Sequence, residues 1–173
     1  DPIGMELQVT IWGYNQPAAR LGQLIFIRKV FINRSTNLFD SMYVAQWCDP
    51  DIGASGNDLV GCDSVLGIGY GYNSTPNDGT FDQFGIAPPA GGYDFFQGPL
   101  VVGKAGQDLN KNGVDDSQDY GIRNLKKVGP GLINLPMTSF GYFSAGNPEW
   151  DDPDLQVYTG SLQWYNLLRG YIT

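Results

Sequence analysis

The chain has 173 residues, 42% of them hydrophobic and 13% aromatic, so it has enough apolar material to bury a core and does not belong to the disordered class. Its net charge of −8 argues against a nucleic-acid partner or an anionic membrane surface, because both attract basic proteins. It has no His, which removes the commonest general base and the usual zinc ligand, and 16 Asp against 2 Glu, which favours turns and cation-binding loops.

Three segments in the first half have the pattern of strands. Residues 5–12 alternate between apolar and polar side chains. Residues 23–33 form the longest apolar run, and its β-branched and aromatic content predicts a buried central strand. Residues 41–48 predict another strand, which leads into a loop rich in carboxylates.

Glycines alternate with larger residues in a further predicted strand, residues 64–72. Gly67, Gly69 and Gly71 fall on one face of this strand. Because that face carries no side chains, we expect another part of the chain to approach it closely.

The second half has fewer regular segments and ends in a predicted helix. Residues 92–102 and 137–144 predict strands, whereas residues 122–136 show no clear period. Apolar residues recur at helical spacing over residues 155–168, and Gly170 is expected to end the helix. Three carboxylates are expected at the positive end of its dipole, those of Asp151, Asp152 and Asp154.

Residues 108–119 match the twelve-residue calcium loop position by position. Oxygen-bearing side chains stand at the first, third, fifth, ninth and twelfth positions, with Gly113 where the chain must turn sharply. The segment resembles the calcium loops of dockerin modules, which also have Asp at the last position; the alternative is a solvated acidic turn. The predicted Ca²⁺ ligands are Asp108, Asn110, Asn112, the carbonyl of Val114, Asp116 and Asp119.

Residues 49–63 form a second loop in which carboxylates alternate with glycines. Turn capping is one alternative to metal binding, and an acid–base pair of Asp49 and Asp51 is another. Such a pair needs one carboxyl in a dry pocket, whereas this loop is polar and rich in Gly. We therefore expect a second calcium site, with Asp49, Asp51, Asp58 and Asp63 as its ligands.

Two cysteines, Cys48 and Cys62, flank this second loop. They are candidates for a disulfide, which would imply an oxidising compartment, and the alternative is two buried thiols. Their spacing alone does not decide between these states.

Several distinctive segments resemble a region that recurs in very large secreted proteins of Bacteroidota-type bacteria. These are YVAQWCDPDIG, NDLVGCD, PPAGGYDFFQGPLV and SLQWYNLLRGY, together with DPIGMEL and IFIRKVFINRS. The resemblance implies export by the type IX route, display at the cell surface and structural ion sites lined by aspartates. Asp49, Asp51, Asp58 and Asp63 fall on acidic positions of that pattern, and Asn57 stands where the pattern often has Asp.

Aromatic residues are frequent around residues 73–91 and near the end of the chain. Exposed rings on a calcium-binding sandwich are a common arrangement for binding sugars, but most rings in such a fold belong to the core. The aromatics in question are Tyr70, Tyr72, Phe81, Phe84, Tyr93, Phe95, Phe96, Trp150 and Trp164.

Together these patterns predict a mainly β fold: a β-sandwich with long calcium-binding loops and one C-terminal helix. We expect one domain over residues 1–173, as a mature product or a piece of a longer polypeptide. The expected function is that of a non-enzymatic, calcium-stabilised structural module of an extracellular or cell-surface protein or filament. Its expected partners are other copies or other domains of the same protein, with carbohydrate binding as the alternative, and with neither nucleic acid nor membrane insertion.

Overall fold

The computed structural model describes residues 3–144 and 151–171, which belong to two compact units. The first unit is Asp1–Met42 and the second is Tyr43–Thr173. In the described part of the chain, no helix combines the length and the apolar character needed to cross a membrane.

The first unit is built on an antiparallel hairpin. Strand β1 (Met5–Gly13) pairs with strand β2 (Ile25–Asn33) over nine residues each, which confirms the two predicted strands. The prediction that β2 is buried and central is wrong, because β1 is its only partner in the described sheet. One face of the hairpin therefore presents exposed apolar side chains, which are Leu7, Val9, Ile11, Ile25, Ile27 and Phe31.

The second unit contains three small antiparallel sheets. The largest has the order β3 (Asp58–Asp63), β4 (Ile68–Asn73) and β5 (Ala90–Asp94). The other two sheets are pairs of three-residue strands. Strand β6 (Leu100–Val102) pairs with β9 (Leu132–Asn134), and β7 (Gly121–Arg123) pairs with β8 (Lys126–Val128). A single turn of helix, α1 (Gly79–Asp82), lies between β4 and β5.

Two predicted strands are absent from the described residues, and four unpredicted ones are present, since β3 lies within the predicted loop of residues 49–63. Residues 41–48 and 137–144 contain no strand. Their aromatic side chains instead pack with the C-terminal helix: the Trp47 ring lies 5.8 Å from Phe143 and 5.5 Å from Trp164, centre to centre. Residues 122–136 contain parts or all of β7, β8 and β9, which are too short to leave a readable period.

The glycine face of β4 is covered closely, as the sequence predicted. A Cβ at Gly69 would lie 2.8 Å from the Phe140 ring, and one at Gly71 would lie 3.2 Å from Pro50. The covering groups belong to loops, so no closed sandwich is seen among the described residues. The coarser prediction, a mainly β chain with one C-terminal helix, is confirmed.

The C-terminal helix, α2 (Tyr158–Leu168), ends where the sequence predicted. Gly170 adopts a φ of +81°, and its N–H donates to the carbonyl of Leu167 at 2.9 Å. The predicted role of Asp151, Asp152 and Asp154 is wrong, because the first turn of α2 contains no acidic residue. Asp154 instead accepts the N–H of Gln156 through Oδ1 at 2.8 Å.

The contact of Gly69 with Phe140 predicts a measurable cost of adding a methyl group there. We expect Gly69→Ala to lower the free energy of unfolding by about 1–3 kcal/mol, because the ring must move or the strand must shift. Gly91→Ala is the matched control, since Gly91 is on the same face of the neighbouring strand and nothing lies within 4 Å of the added Cβ. Urea denaturation measures both, and equal losses would contradict the close approach.

Candidate metal centre

The loop Asp108–Asp119 connects β6 to β7 and is folded around its first residue. Asp108 accepts the N–H of Asn112 through Oδ1 at 3.0 Å and the N–H of Gly113 through Oδ2 at 2.9 Å. Gly113 has a φ of +84°, which is the sharp turn expected at the sixth position of the loop. Neither side of the loop is helical, so it is an isolated loop in a β context.

Asp119, the last residue of the loop, is hydrogen-bonded to the residues at the third and fifth positions. Asp119 Oδ2 accepts hydrogen bonds from the side-chain amide of Asn110 at 2.9 Å and from that of Asn112 at 2.8 Å. These donors and the N–H of Tyr120 lower the pKa of Asp119, with the amide of Asn110 as the largest cause, and the charge of Lys127 adds to the effect. Three of the six predicted ligands thus lie together, because Asn110 and Asn112 both contact one carboxylate oxygen of Asp119.

Two of the six predicted ligands, Asp116 and Asn110, contain buried oxygens that are short of donors. Asp116 is fully buried, and both its carboxylate oxygens lie 3.2 Å from a single donor, the N–H of Leu109. Asn110 Oδ1 is buried without any hydrogen-bond partner. An unsatisfied buried acceptor costs about 1–3 kcal/mol, and a buried charge needs a partner. This loop therefore has fewer hydrogen-bond donors than its buried oxygens need. The sixth ligand, Val114, donates its N–H to Asn112 Oδ1 at 2.8 Å.

The donor set of this loop fits a hard cation. Within residues 3–144 and 151–171, no group of three or more His, Cys, Asp or Glu side chains is placed to hold a metal ion, so a metal site in this loop would require amide and carbonyl oxygens as well. Calcium accepts such mixed oxygen sets. The amides of Asn110 and Asn112 turn their nitrogens toward Asp119 Oδ2. Asn110 Oδ1 has no partner of its own, so half a turn of that amide would present an oxygen without breaking another hydrogen bond of this oxygen.

The loop 49–63 is not arranged as the sequence predicted. Asp49 and Asp51 are exposed, and Asp63 accepts the N–H groups of Val65 and Leu66 at 2.9 and 3.0 Å, which makes it a turn cap. Of the four predicted ligands, Asp58 is held inward: its Oδ2 accepts the N–H of Ile52 at 2.8 Å.

The same region contains further buried oxygens, and those of Asn57, Asn73 and Asp78 belong to residues outside the predicted ligand set. Asp58 Oδ1 is buried and unpartnered, and so are the amide oxygens of Asn57 and Asn73. Asp78, which is 5% exposed, accepts the N–H groups of Ala54 and Thr80, and these two bonds lower its pKa. Asn73 belongs to this group through the pairing of β3 with β4, which was not predicted.

Cys48 and Cys62 are free thiols in the structure. Burial is the main cause that raises the pKa of both, and the charges of Asp49 and Asp63 raise them further. Raised pKa values leave little reactive thiolate at neutral pH. The disulfide stays a prediction.

Most of the aromatic residues singled out in the sequence are exposed, contrary to the expectation that they form a core. Phe81, Phe95 and Trp164 are half-buried, and Trp150 lies outside the described residues. The exposed rings are those of Tyr70, Tyr72, Phe84, Tyr93 and Phe96.

The chain matches no known protein family, no curated protein and no solved structure.

The hydrogen bonds of the loop predict its response to acid. The pKa values of Asp119 and Asp115 are lowered by folding, so their stabilising effect is present above the unfolded value of 3.8 and is lost as the pH falls through the folded values. We expect the melting temperature to drop below about pH 4, and less steeply in Asp119→Asn. Asp51→Asn, at an exposed position outside the loop, is the control and should follow the unmodified chain. Parallel curves for all three proteins would contradict this assignment.

Proposed function

We propose that the chain is a calcium-stabilised structural module of a bacterial extracellular or cell-surface protein, without catalytic activity of its own. One observation carries the proposal. The buried side-chain oxygens that have no hydrogen-bond partner in the described residues belong to Asn57, Asp58, Asn73 and Asn110. All four lie in or directly beside the two loops whose spacing of Asp and Asn predicts calcium ligands.

The chemistry of these groups favours Ca²⁺ over other ions. Carboxylate, amide and carbonyl oxygens are hard ligands, and the chain has no His for zinc or iron. Mg²⁺ is smaller and demands a regular octahedron, whereas Ca²⁺ takes six to eight oxygens in a flexible arrangement. A pair of flexible loops that supply amide and carbonyl oxygens therefore suits Ca²⁺.

The role proposed for the ion is to hold loops in place. Backbone hydrogen bonds already tie the first loop to its surroundings: the N–H of Asp116 donates to Gln107 at 2.8 Å, and the N–H of Gly131 donates to Asp119 at 2.8 Å. A calcium sensor needs paired helices that open on binding, and the flanks of this loop are not helical. Structural stabilisation is therefore favoured over signalling.

The proposed location and partners are supported by the sequence resemblance and by one surface. The resemblance to surface-displayed bacterial proteins supports an extracellular setting. The hairpin face of Leu7, Val9, Ile11, Ile25, Ile27 and Phe31 is exposed, with Lys29 opposite Val9, and a mainly apolar face of this kind is typical of a contact surface. We propose that another copy of the chain, or another domain of the same protein, covers it in a filament or surface layer.

We also propose that the sheets stack as a β-sandwich, which rests on their small size and antiparallel pairing.

Carbohydrate binding is the second candidate, and one feature of the β3–β4–β5 sheet favours it. Tyr70 and Tyr72 lie on the same face of β4, with ring centres 6.0 Å apart, and both are exposed. A Cβ at Gly61 would lie 2.6 Å from the Tyr70 ring, so this ring lies across the neighbouring strand. Small residues stand on both sides of Tyr70, since Gly61 and Gly92 are its cross-strand partners. Exposed rings beside small residues suit stacking on a sugar ring.

Calcium should raise the thermal stability of the chain. A ligand at 100 times its dissociation constant stabilises the folded state by about 2.7 kcal/mol, which is several degrees in melting temperature at this size. We expect this increase when CaCl₂ replaces a chelator, and a smaller one in the double variant Asp108→Ala and Asp119→Ala. Magnesium at the same ionic strength is the control. Equal melting temperatures in calcium and in chelator would overturn the proposed function.

The carbohydrate alternative predicts retardation in a gel that contains a polysaccharide. Tyr70→Ala should abolish retardation, because it removes the ring that lies across Gly61. Tyr158→Ala is the matched control, since Tyr158 is also exposed but lies on α2. Affinity electrophoresis on a panel of bacterial and plant polysaccharides measures both. Retardation that persists unchanged in Tyr70→Ala would exclude this surface as the site.

A further inference from the structure

We propose that Asn57, Asp58 and Asn73 form a calcium site of their own beneath the loop of residues 50–57, separate from the loop Asp108–Asp119. Each of the three has a side-chain oxygen that is buried and has no hydrogen-bond partner. The inference rests on the proposed function for the identity of the ion, but it uses none of the ligands of the first loop. Of the ligands predicted for the second loop, the proposed site keeps Asp58, and Asn57 and Asn73 take the place of Asp49, Asp51 and Asp63.

The pairing of β3 with β4 brings these residues together. Asp58 stands directly opposite Asn73 in the antiparallel register, so their side chains share a face, with Cβ atoms about 4.5–5.5 Å apart. Asn57 precedes Asp58, and its carbonyl accepts the N–H of Ser74 at 3.0 Å. Asp58 and Asn73 thus share a face, and Asn57 stands at the same end of the hairpin, in the 3-10 turn that leads into β3.

The other atoms of Asp58 and Asn73 fix the direction of the unpartnered oxygens. Asn73 Nδ2 donates to the carbonyls of Thr75 at 2.9 Å and Asn77 at 3.3 Å. Exchanging the nitrogen and oxygen of this amide would set its oxygen against two carbonyl oxygens, so Oδ1 must face the interior. The Oδ2 atom of Asp58 is likewise occupied by the N–H of Ile52 at 2.8 Å, which leaves Oδ1 for another partner.

The charge around these oxygens favours a divalent cation over a water molecule. The segment 52–54 lies over two inward-facing carboxylates, because Ile52 donates to Asp58 and Ala54 donates to Asp78. Water would donate hydrogen bonds to these oxygens but would not offset the charge, whereas a divalent cation coordinates the oxygens and offsets the charge. Asp58 also lines a cavity of about 240 Å³ together with Leu59, Val60 and Phe143, which provides a path for the ion and its water ligands.

Calorimetric titration of the 173-residue chain with CaCl₂ tests the site. We expect two ions per chain, one of which is lost in Asp58→Asn and the other in Asp119→Asn. Asp58→Asn keeps a carbonyl oxygen for the N–H of Ile52, so it should fold. Asp51→Asn, an exposed carboxylate of the same loop, is the matched control and should keep both ions. Two ions bound by Asp58→Asn would overturn this site and leave the first loop standing, whereas no calcium binding by the unmodified chain would overturn both.

A variant that binds calcium more tightly distinguishes a change in the site from a change in folding. Asn57→Asp adds a carboxylate to the ligand set and should tighten calcium binding at this site roughly tenfold, because ligand charge tunes the affinity of calcium sites. In a chelator the same variant should melt at a lower temperature, since two neighbouring carboxylates repel each other. A folding defect cannot raise affinity. Calcium affinity that is unchanged or weaker in Asn57→Asp would contradict the proposed site.

Discussion

The organisation of the second unit depends on satisfying oxygen acceptors that its loops bring into the interior. Asp78 meets this constraint with backbone N–H groups. Asp58 and Asn110 do not, because each has a buried oxygen without a donor. The metal ions proposed above would supply both ligation of these oxygens and positive charge. On that proposal, loop structure and ion binding are two aspects of one constraint.

The apolar core is small, so it contributes little to holding these loops in place. Among the described residues, Ile52 and Ile133 are the hydrophobic side chains that are buried, and four of the strands in the second unit are three residues long. Short strands provide few ladder hydrogen bonds and small apolar faces. Order in the connecting segments must then come from local bonds between carboxylates and backbone, as in the turn cap of Asp63. This explains why Asp is so much more frequent than Glu, whose longer side chain is less suited to such turns.

Features that depend on neighbouring residues could be predicted from the sequence, and features that depend on distant pairing could not. The turn at Gly113, the end of α2 at Gly170 and the strands of the first hairpin are all local, and each was predicted. The role of Asn73 appears only once β4 is paired with β3, because it is the register that places it opposite Asp58. The alternation in residues 41–48 was misleading for a related reason: Trp47 packs on α2 and not within a sheet.

The two proposed sites should differ in how strongly an ion couples to folding. The ligands of the first loop lie within twelve residues, so an unfolded chain can still gather several of them around an ion. An ion that also binds the unfolded state stabilises the folded state less than its affinity suggests. The proposed second site needs β3 paired with β4 and the segment 50–57 over the sheet, because the register places Asn73 opposite Asp58. An ion there would bind the folded state, and its binding free energy would stabilise the sheet and the loop together.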